Sequence, residues 1–442
     1  MIAASEFYEI NSGDTAWVLA SAALVLLMTP GLAFFYGGMV RGKNVLNMLM
    51  MNFITIGIVS VVWVLAEFSL AFGGSSGIIG DLHYAGLSNT AANLPLNSGI
   101  DWLTIPPLAF VAFQLMFAVI TPALFTGSIA DRMKFGPFVT LIAVWSLLVY
   151  APIAHWVWAP SGWIFKQGAF DFAGGTVVHA NAGAAGLALA LVLGKRKGWP
   201  KEPMRPHNLP LVLLGAGLLW FGWFGFNAGS ALTAGGLASV AFITTNTATA
   251  SAMIGWVITE KFRDGHPTTL GAASGAVAGL VAITPACAYV SPVGAIILGL
   301  LAGSICCLAT GLKFRFGYDD ALDVVGVHLV GGVLGALLIG LLATTAFNSL
   351  SVDALFYGGG FSQLGKQFIA VAGSVIYSFV ATYIIARVIS LIFGGLRVSE
   401  DVEVEGLDIN LHAESGYELG GIGGGSVRAA APAARASEEV PA

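Results

Sequence analysis

Long apolar runs separated by short polar breaks recur through the first 394 residues of the chain. Within the runs, as from Leu108 to Leu124 and from Val293 to Thr310, apolar residues follow one another without the alternation of a barrel strand. A helix needs roughly 20 apolar residues to cross the hydrocarbon core of a membrane. Hydropathy and helix breakers therefore predict eleven membrane-spanning helices, near residues 15–36, 44–72, 104–130, 136–156, 171–194, 209–229, 236–259, 268–288, 292–311, 321–346 and 366–394.

The composition supports the same fold class. Of the 442 residues, 57% are hydrophobic and only 10% are charged, whereas soluble domains carry about 25% charged residues. We therefore predict an all-α integral membrane protein in contact with membrane lipid. The formal net charge of −5 argues against nucleic acid as a partner.

The positively charged residues predict the orientation of the chain. Thirteen of them lie in five alternate loops, against Lys166 and Lys366 in the other set. By the positive-inside rule the cation-rich loops face the cytoplasm. This puts the N-terminus outside and the C-terminus in the cytoplasm, as an odd number of spans requires. The acidic start of the chain differs from a signal peptide, so we expect the first span to remain in the mature protein.

The composition changes at about Gly395. Residues 399–405 are acidic, and residues 420–442 are rich in Gly and Ala without periodicity. We divide the chain into a membrane domain, 1–394, and a cytoplasmic C-terminal tail, 395–442. The first half of the tail is expected to dock against the membrane domain, and its end to be disordered.

Catalytic and metal-binding chemistry has little support in the sequence. Its three cysteines, Cys287, Cys306 and Cys307, lie in or at the ends of apolar spans, without C-x-x-C or Cys/His ligand spacing. No nucleophile–base pair stands out in the spans. We predict that the protein is not an enzyme and holds no metal or cofactor.

Two histidines inside predicted spans are the main candidates for function, because polar groups are costly at this depth. His179 and His328 each begin the pattern H-x-x-x-G-x-x-G, and each follows an aspartate, Asp171 or Asp320, by eight residues. The fifth span runs inward and the tenth outward. This match predicts two inverted five-helix repeats plus an eleventh helix, with a pore or proton relay where the repeats meet. Two packed histidines or a haem site are the alternatives, and haem would need a second axial ligand for each iron.

Aromatic residues gather near the predicted outer ends of the spans. Trp158 follows the fourth span, Phe117 lies in the third, and Trp223 and Phe226 precede Ser230 at the end of the sixth. Such rings anchor helices at the membrane interface, and they also bind a desolvated cation. Rings beside one hydroxyl would suit a small cation with N–H donors.

Four blocks of the chain resemble the ammonium transporter family (Amt, methylammonium permease and Rhesus proteins), in its bacterial Amt branch. The resemblance runs from about Asp14 to Tyr417. The blocks are Phe35-Tyr-Gly-Gly with Arg-Gly-Lys-Asn44, Asp171-Phe-Ala-Gly-Gly-Thr-Val-Val-His179, Gly222-Trp-Phe-Gly-Phe-Asn-Ala-Gly-Ser230, and Asp323-Val-Val-Gly-Val-His328.

The resemblance implies a role for each candidate residue. Trp158, Ser230 and Phe117 would form the external recruitment site for ammonium, and Phe117 and Phe226 the gate. His179, His328 and Trp223 would line the pore, and Asp171, which by position could simply cap its helix, would support the site. It also implies a homotrimer in the plasma membrane that carries ammonium or methylammonium, with a PII-type signalling protein at its cytoplasmic face.

Two other functions stay open from the sequence. One is an ammonium sensor that signals through a cytoplasmic partner with little flux. The other is a channel for a small neutral solute, against which Trp158 and Ser230 favour a cationic entry form.

Overall fold

A computed structural model describes residues 10–90, 103–202 and 204–417, and these residues form an all-helical protein. Within them β-structure is limited to two isolated bridges, Met133 to Arg397 and Val290 to Ala343. Ten helices in these ranges are long and apolar enough to cross a membrane. They are α1 (Ser12–Met39), α2 (Gly42–Phe72), α3 (Pro107–Ile129), α4 (Phe135–Gln167), α5 (Gly175–Leu193), α6 (Leu209–Gly229), α7 (Gly236–Asp264), α9 (Pro292–Phe316), α10 (Val325–Leu342) and α11 (Ser362–Ile392).

The predicted eighth span corresponds to a shorter apolar helix, α8 (Thr269–Ile283). The fold class is confirmed, but α8 is shorter than the roughly 20 residues that cross a membrane without help. The exact count of eleven spans therefore stays a prediction. So does the division into domains 1–394 and 395–442.

Helix starts differ from the predicted ones where an aspartate precedes the helix. The fifth span was predicted from residue 171 and the tenth from 321, but the helices begin at Gly175 and Val325. The intervening residues form turns, with Gly174 at φ 108° and Asp323 at φ 62°. The carboxylates thus lie before the helices, where free amide groups are available as hydrogen-bond donors.

Two groups of packed helices position the histidine segments. In one, α1 packs along α6, and in the other α5 packs against both α10 and α11. Glycine allows the crossing of α5 and α10: a Cβ atom on Gly183 would lie 2.3 Å from the backbone nitrogen of Leu329, and one on Gly332 would lie 2.7 Å from the carbonyl oxygen of Gly175. The two H-x-x-x-G-x-x-G patterns therefore lie against each other.

Four segments of the spans are π-helical rather than α-helical. They are Trp63–Glu67, Ser146–Tyr150, Gly175–Ala180 and Val325–Leu329. The last two contain His179 and His328. Single π-turns inside helices occur frequently at functional sites.

After α11 the chain returns to the earlier helices. Two short helices, α12 (Glu400–Glu405) and α13 (Leu407–His412), lie against the start of α2. Asp408 accepts hydrogen bonds from the backbone amides of Leu46 and Asn47, at 3.0 and 2.8 Å. The predicted disordered end, 420–442, lies outside the described residues.

Candidate functional site

Asp171 organises the start of α5. Its two carboxylate oxygens accept hydrogen bonds from four consecutive backbone amides, at 2.7–3.0 Å, and these belong to Gly174, Gly175, Thr176 and Val177. All four donors are groups that a helix start leaves unpaired, and an anion there is stabilised by the helix dipole. Asp171 therefore caps the start of α5, as its position in the sequence suggested.

Asp320 has the equivalent place before α10 but fewer partners. It accepts a hydrogen bond from the amide of Val325 at 2.7 Å and one from the hydroxyl of Ser128 at 2.8 Å. Asp323, three residues later, forms an ion pair with Lys313 at 2.8 Å. Burial raises the pKa of Asp320, and the charge of Asp323 raises that pKa further.

The two histidines meet inside the protein. Their Nδ1 atoms are 3.3 Å apart, and the rings stack with centroids 5.4 Å apart. Both side chains are buried. A hydrogen bond between two Nδ1 atoms requires one ring to donate and the other to accept.

The surroundings assign the tautomers of a neutral pair. The hydroxyl of Tyr36 donates to the carbonyl of Leu124 at 3.0 Å, so the 3.4 Å contact with Nε2 of His328 is one in which the histidine donates. Nδ1 of His328 then accepts, and Nδ1 of His179 donates. Nε2 of His179 is left as an acceptor, and it has no hydrogen-bond partner among the described residues.

Aromatic rings surround His179 on its other side. Trp223 stacks on it with centroids 5.2 Å apart, and Phe226 lies at 5.9 Å. The indole N–H of Trp223 donates to the hydroxyl of Thr284 at 2.8 Å. This hydrogen bond satisfies the polar edge of the indole and fixes the ring next to the imidazole.

Phe117 and Phe226 form the next layer. Their centroids are 4.3 Å apart at an interplanar angle of 37°, and both rings are buried. Trp158 meets Phe117 edge to face, with centroids 5.7 Å apart. These contacts connect the histidines to a cavity on the far side of the phenylalanines.

That cavity, here named the upper cavity, has a volume of about 660 Å³. Its lining includes Phe117, Trp158, Asp171 and Ser230. The indole N–H of Trp158 donates to the carbonyl of Asp171 at 3.0 Å, and the hydroxyl of Ser230 donates to the carbonyl of Phe226 at 2.8 Å. Since Ser230 uses its proton within the protein, its oxygen lone pairs are available as acceptors.

A second, smaller cavity lies on the other side of the histidines. This lower cavity has a volume of about 170 Å³, and Tyr36 and His328 are among its lining residues. Its polar lining also includes Glu260, Arg263 and Asp323. The two cavities are separated by the phenylalanine pair and the histidine pair.

All eight residues singled out from the sequence thus belong to one connected site. They are Phe117, Trp158, Asp171, His179, Trp223, Phe226, Ser230 and His328. The structure brings them together from five helices and two turns, although their roles in transport stay predictions.

Three further residues of the site were not assigned a role from the sequence. Tyr36 contacts His328 across 292 residues, and Thr284 accepts from Trp223 across 61. Gln114 lines the upper cavity, and its side-chain oxygen has no partner among the described residues. Tyr36 lies in the sequence block that begins at Phe35, and Gln114 lies three residues before Phe117. Only the fold shows what surrounds their side chains.

Comparison with known proteins identifies the family. The family model described as Ammonium Transporter Family matches residues 16–417. An ammonium transporter of Mycobacterium tuberculosis is 53% identical over 447 residues, covering 94% of this chain and 92% of the relative.

Solved structures agree with the sequence comparison. The crystal structure of Candida albicans Mep2 superposes with a TM-score of 0.83 at 33% identity, covering 89% of this chain and 88% of that one. A structure described as a sensor Amt protein superposes with a TM-score of 0.82 at 30% identity, covering 90% and 98%. From its matched sequence, its multi-pass helical fold and these relatives, the chain belongs to the ammonium transporter family, a family of membrane transporters rather than enzymes, and its function is ammonium transport.

Proposed function

We propose that the chain recruits the ammonium ion in the upper cavity, removes a proton from it and conducts neutral ammonia to the lower cavity, with the proton relayed separately. The observation that supports this mechanism is an unbroken series of ring contacts from Trp158 through Phe117, Phe226 and His179 to His328. Beyond Trp158 the series contains no charged side chain and only the imidazoles can hydrogen-bond, so an ion would lose its hydration there without replacement and a neutral species is favoured.

Recruitment would use Trp158, Phe117 and Ser230. Aromatic faces attract a small cation by about 0.5–2 kcal/mol each. The free lone pairs of Ser230 can accept an ammonium N–H, because its own proton is bonded to the carbonyl of Phe226. The hydrogen bond between Trp158 and the carbonyl of Asp171 holds the indole in a fixed orientation.

Deprotonation would follow from the desolvation that the next layer imposes. Phe117 and Phe226 pack too closely to admit a hydrated ion, so we propose that they are the gate and part transiently. A bare cation between them would lose its hydration without gaining hydrogen bonds. Ammonium escapes this penalty by giving a proton to the histidine pair, where Nε2 of His179 would accept it, and potassium has no proton to give.

The histidines would accept hydrogen bonds from ammonia or pass protons along. Nε2 of His179 is the acceptor of the pair that has no partner within the described ranges, and Nε2–H of His328 lies at the lower cavity beside Tyr36. Trp223 would line the same section of the pore. Asp171 would support the site by fixing the start of the helix that carries His179.

The proposal can be tested with His179→Ala and His328→Ala in proteoliposomes. Either change removes a donor and acceptor that no neighbour replaces, and general acid–base groups contribute roughly 10²–10⁴-fold to rates. We expect selective ammonium current on a solid-supported membrane to fall by at least about tenfold. A variant that transports ammonium and excludes potassium as the wild type does would refute the relay.

The cellular setting is part of the same proposal. We place the protein in the plasma membrane with its N-terminus outside and its C-terminus in the cytoplasm, because basic residues concentrate in alternate loops. We further propose a homotrimer that binds a PII-type signalling protein at its cytoplasmic face and also carries methylammonium, as the family resemblance implies.

An ammonium sensor is the second candidate. It is favoured by the structural likeness to a protein described as a sensor Amt protein, and by the docking of α12 and α13 at the start of α2. Growth of a transport-deficient strain on limiting ammonium separates the two functions. A transporter restores growth, whereas a sensor with little flux does not.

A further inference from the structure

We infer that Gln367, on α11, is a positioning residue that fixes the wall of the upper cavity and thereby the affinity for ammonium. The inference rests on the proposed recruitment site. It concerns the turn of residues 168–172, which carries Asp171 and connects the end of α4 to the start of α5.

Gln367 binds the backbone of this turn with both ends of its amide. Its Oε1 accepts from the amide of Phe170 at 2.6 Å, and its Nε2 donates to the carbonyl of the same residue at 2.7 Å. A backbone residue in a β-ladder is held in the same way, but here one side chain supplies both partners. The position of Phe170 is therefore set by α11.

The orientation of the Gln367 amide is itself fixed. Nε2 of Gln363, one turn earlier, donates to Oε1 of Gln367 at 3.0 Å and to the carbonyl of Gly168 at 3.1 Å. Nε2 of Gln367 also donates to the carbonyl of Ala336 at 3.0 Å. An amide turned over would place its NH₂ group against two donors, so the network admits one orientation.

Burial makes these bonds expensive to lose. Gln367 is 1% exposed, and without its amide the N–H and C=O groups of Phe170 would have to find other partners. A buried polar group without a partner is destabilising.

The position of Phe170 affects the recruitment site through the contacts of this turn. Phe170 stacks on Tyr289 with centroids 4.5 Å apart, and both rings line the upper cavity. The carbonyl of Asp171, the next residue, accepts the indole N–H of Trp158. A shift of Phe170 therefore moves the acceptor that orients Trp158. The ring of His179 lies eight residues after Asp171 and is held by its contacts with Trp223 on α6 and His328 on α10.

The test is the apparent KM for ammonium, measured by solid-supported membrane current for Gln367→Leu in the full-length protein. Loss of the bidentate contact is expected to raise KM by about tenfold, the change that follows from 1.4 kcal/mol. Maximal current is expected to stay within about twofold, since the path beyond the gate is untouched. An unchanged KM in the folded variant would overturn the inference.

Ser374→Ala is the matched control. Ser374 is buried on the same helix, and its hydroxyl has no hydrogen-bond partner among the described residues. This change removes a buried polar group from α11 without releasing the turn. A KM raised equally in Ser374→Ala would show a general effect of altering α11 and would contradict the role of Gln367.

Gln367→Glu tests whether Gln367 acts by hydrogen bonding, because a residue that acts only by packing would not make KM depend on pH in this variant. A protonated carboxyl can accept from the amide of Phe170 and donate to its carbonyl, as glutamine does, whereas an ionised one repels that carbonyl. The KM of this variant relative to wild type at the same pH should rise with increasing pH. A ratio that does not vary with pH would count against positioning by hydrogen bonds.

Two further variants keep the outcome interpretable. If Gln367→Leu does not fold, Gln363→Leu is the substitute. It removes the support of the Gln367 amide and the hydrogen bond to the carbonyl of Gly168 but leaves both bonds to Phe170, so it should raise KM to a smaller extent, and an unchanged value contradicts the inference. Trp158→Leu tests the proposed function in the same assay. A raised KM in Trp158→Leu with an unchanged one in Gln367→Leu refutes the inference alone, and no change in either refutes the recruitment site.

Discussion

The two histidine segments share a sequence pattern but differ in their surroundings. Each has an aspartate eight residues before the histidine, a π-helical turn at the ring and glycines four and seven residues later. Asp171 nevertheless caps four amides, whereas Asp320 caps one and binds Ser128. His179 lies against aromatic rings, and His328 lies beside a phenol and a cavity whose lining includes charged side chains.

The difference shows which features the repeated pattern controls. The repeated pattern determines the position of the ring within each segment and the close crossing of α5 and α10. What each ring meets is determined by helices outside the two segments: α6 supplies Trp223 and Phe226, and α1 supplies Tyr36. The two imidazoles thereby differ in their neighbours, with aromatic rings at His179 and a hydroxyl at His328.

The largest expected difference comes from replacing the two aspartates. Asp171→Asn places an NH₂ group where a carboxylate oxygen accepts two amides, and each buried unsatisfied donor costs about 1–3 kcal/mol. Asp320→Asn affects one amide and a hydroxyl that can rotate. We expect the free energy of unfolding to decrease by about 2–4 kcal/mol in Asp171→Asn and by about half of that in Asp320→Asn. Thermal unfolding in detergent measures both, and equal shifts would contradict the unequal caps.

Substitutions at the crossing should affect both segments alike. An added methyl on Gly183 presses on the backbone of Leu329, and one on Gly332 presses on that of Gly175. Overpacking of this kind typically costs about 1–3 kcal/mol. We expect Gly183→Ala and Gly332→Ala to lower the unfolding temperature and the ammonium current together.

Gly217→Ala is the control for these glycines. It lies in α6 with open space around its Cβ position, and replacing a helix glycine by alanine there should change stability by at most about 1 kcal/mol, in the favourable direction. If Gly217→Ala destabilises as much as Gly183→Ala, close packing is not the reason for glycine at the crossing.

The smallest effect is expected at the hydroxyl of Tyr36, beside His328. Tyr36→Phe keeps the ring and removes a hydroxyl whose contact with His328 is long, at 3.4 Å. We expect the free energy of unfolding to decrease by about 0.5–1.5 kcal/mol and the ammonium current to decrease modestly. Tyr377→Phe removes a hydroxyl that donates to the carbonyl of Leu148, away from the histidines. Only Tyr36→Phe should change the current, and equal currents in the two variants would show that the hydroxyl of Tyr36 does not act on His328.

Much of this site could be predicted because it depends on local pattern. Apolar run lengths indicated an all-helical membrane protein, and the matched spacing of His179 and His328 predicted that the two rings meet. The comparisons confirmed the fold class, the ammonium transporter family and its transport function. Gln367, by contrast, looks in the sequence like an ordinary polar residue near the start of a span. Its two bonds to Phe170 join positions 197 residues apart, and no local pattern encodes such a pair.

The sequence by itself determined the class of the protein, because the hydrophobic effect acts on each run of residues independently of the rest. It also determined which residues could do chemistry, since a histidine within an apolar run is costly wherever the chain goes. Only the tertiary structure decided that Asp171 lies before its helix instead of in it, that both histidine segments are π-helical, and which ring has an aromatic neighbour and which a phenol. These outcomes depend on hydrogen bonds and ring contacts between distant segments, whose geometry exists only after the helices have packed.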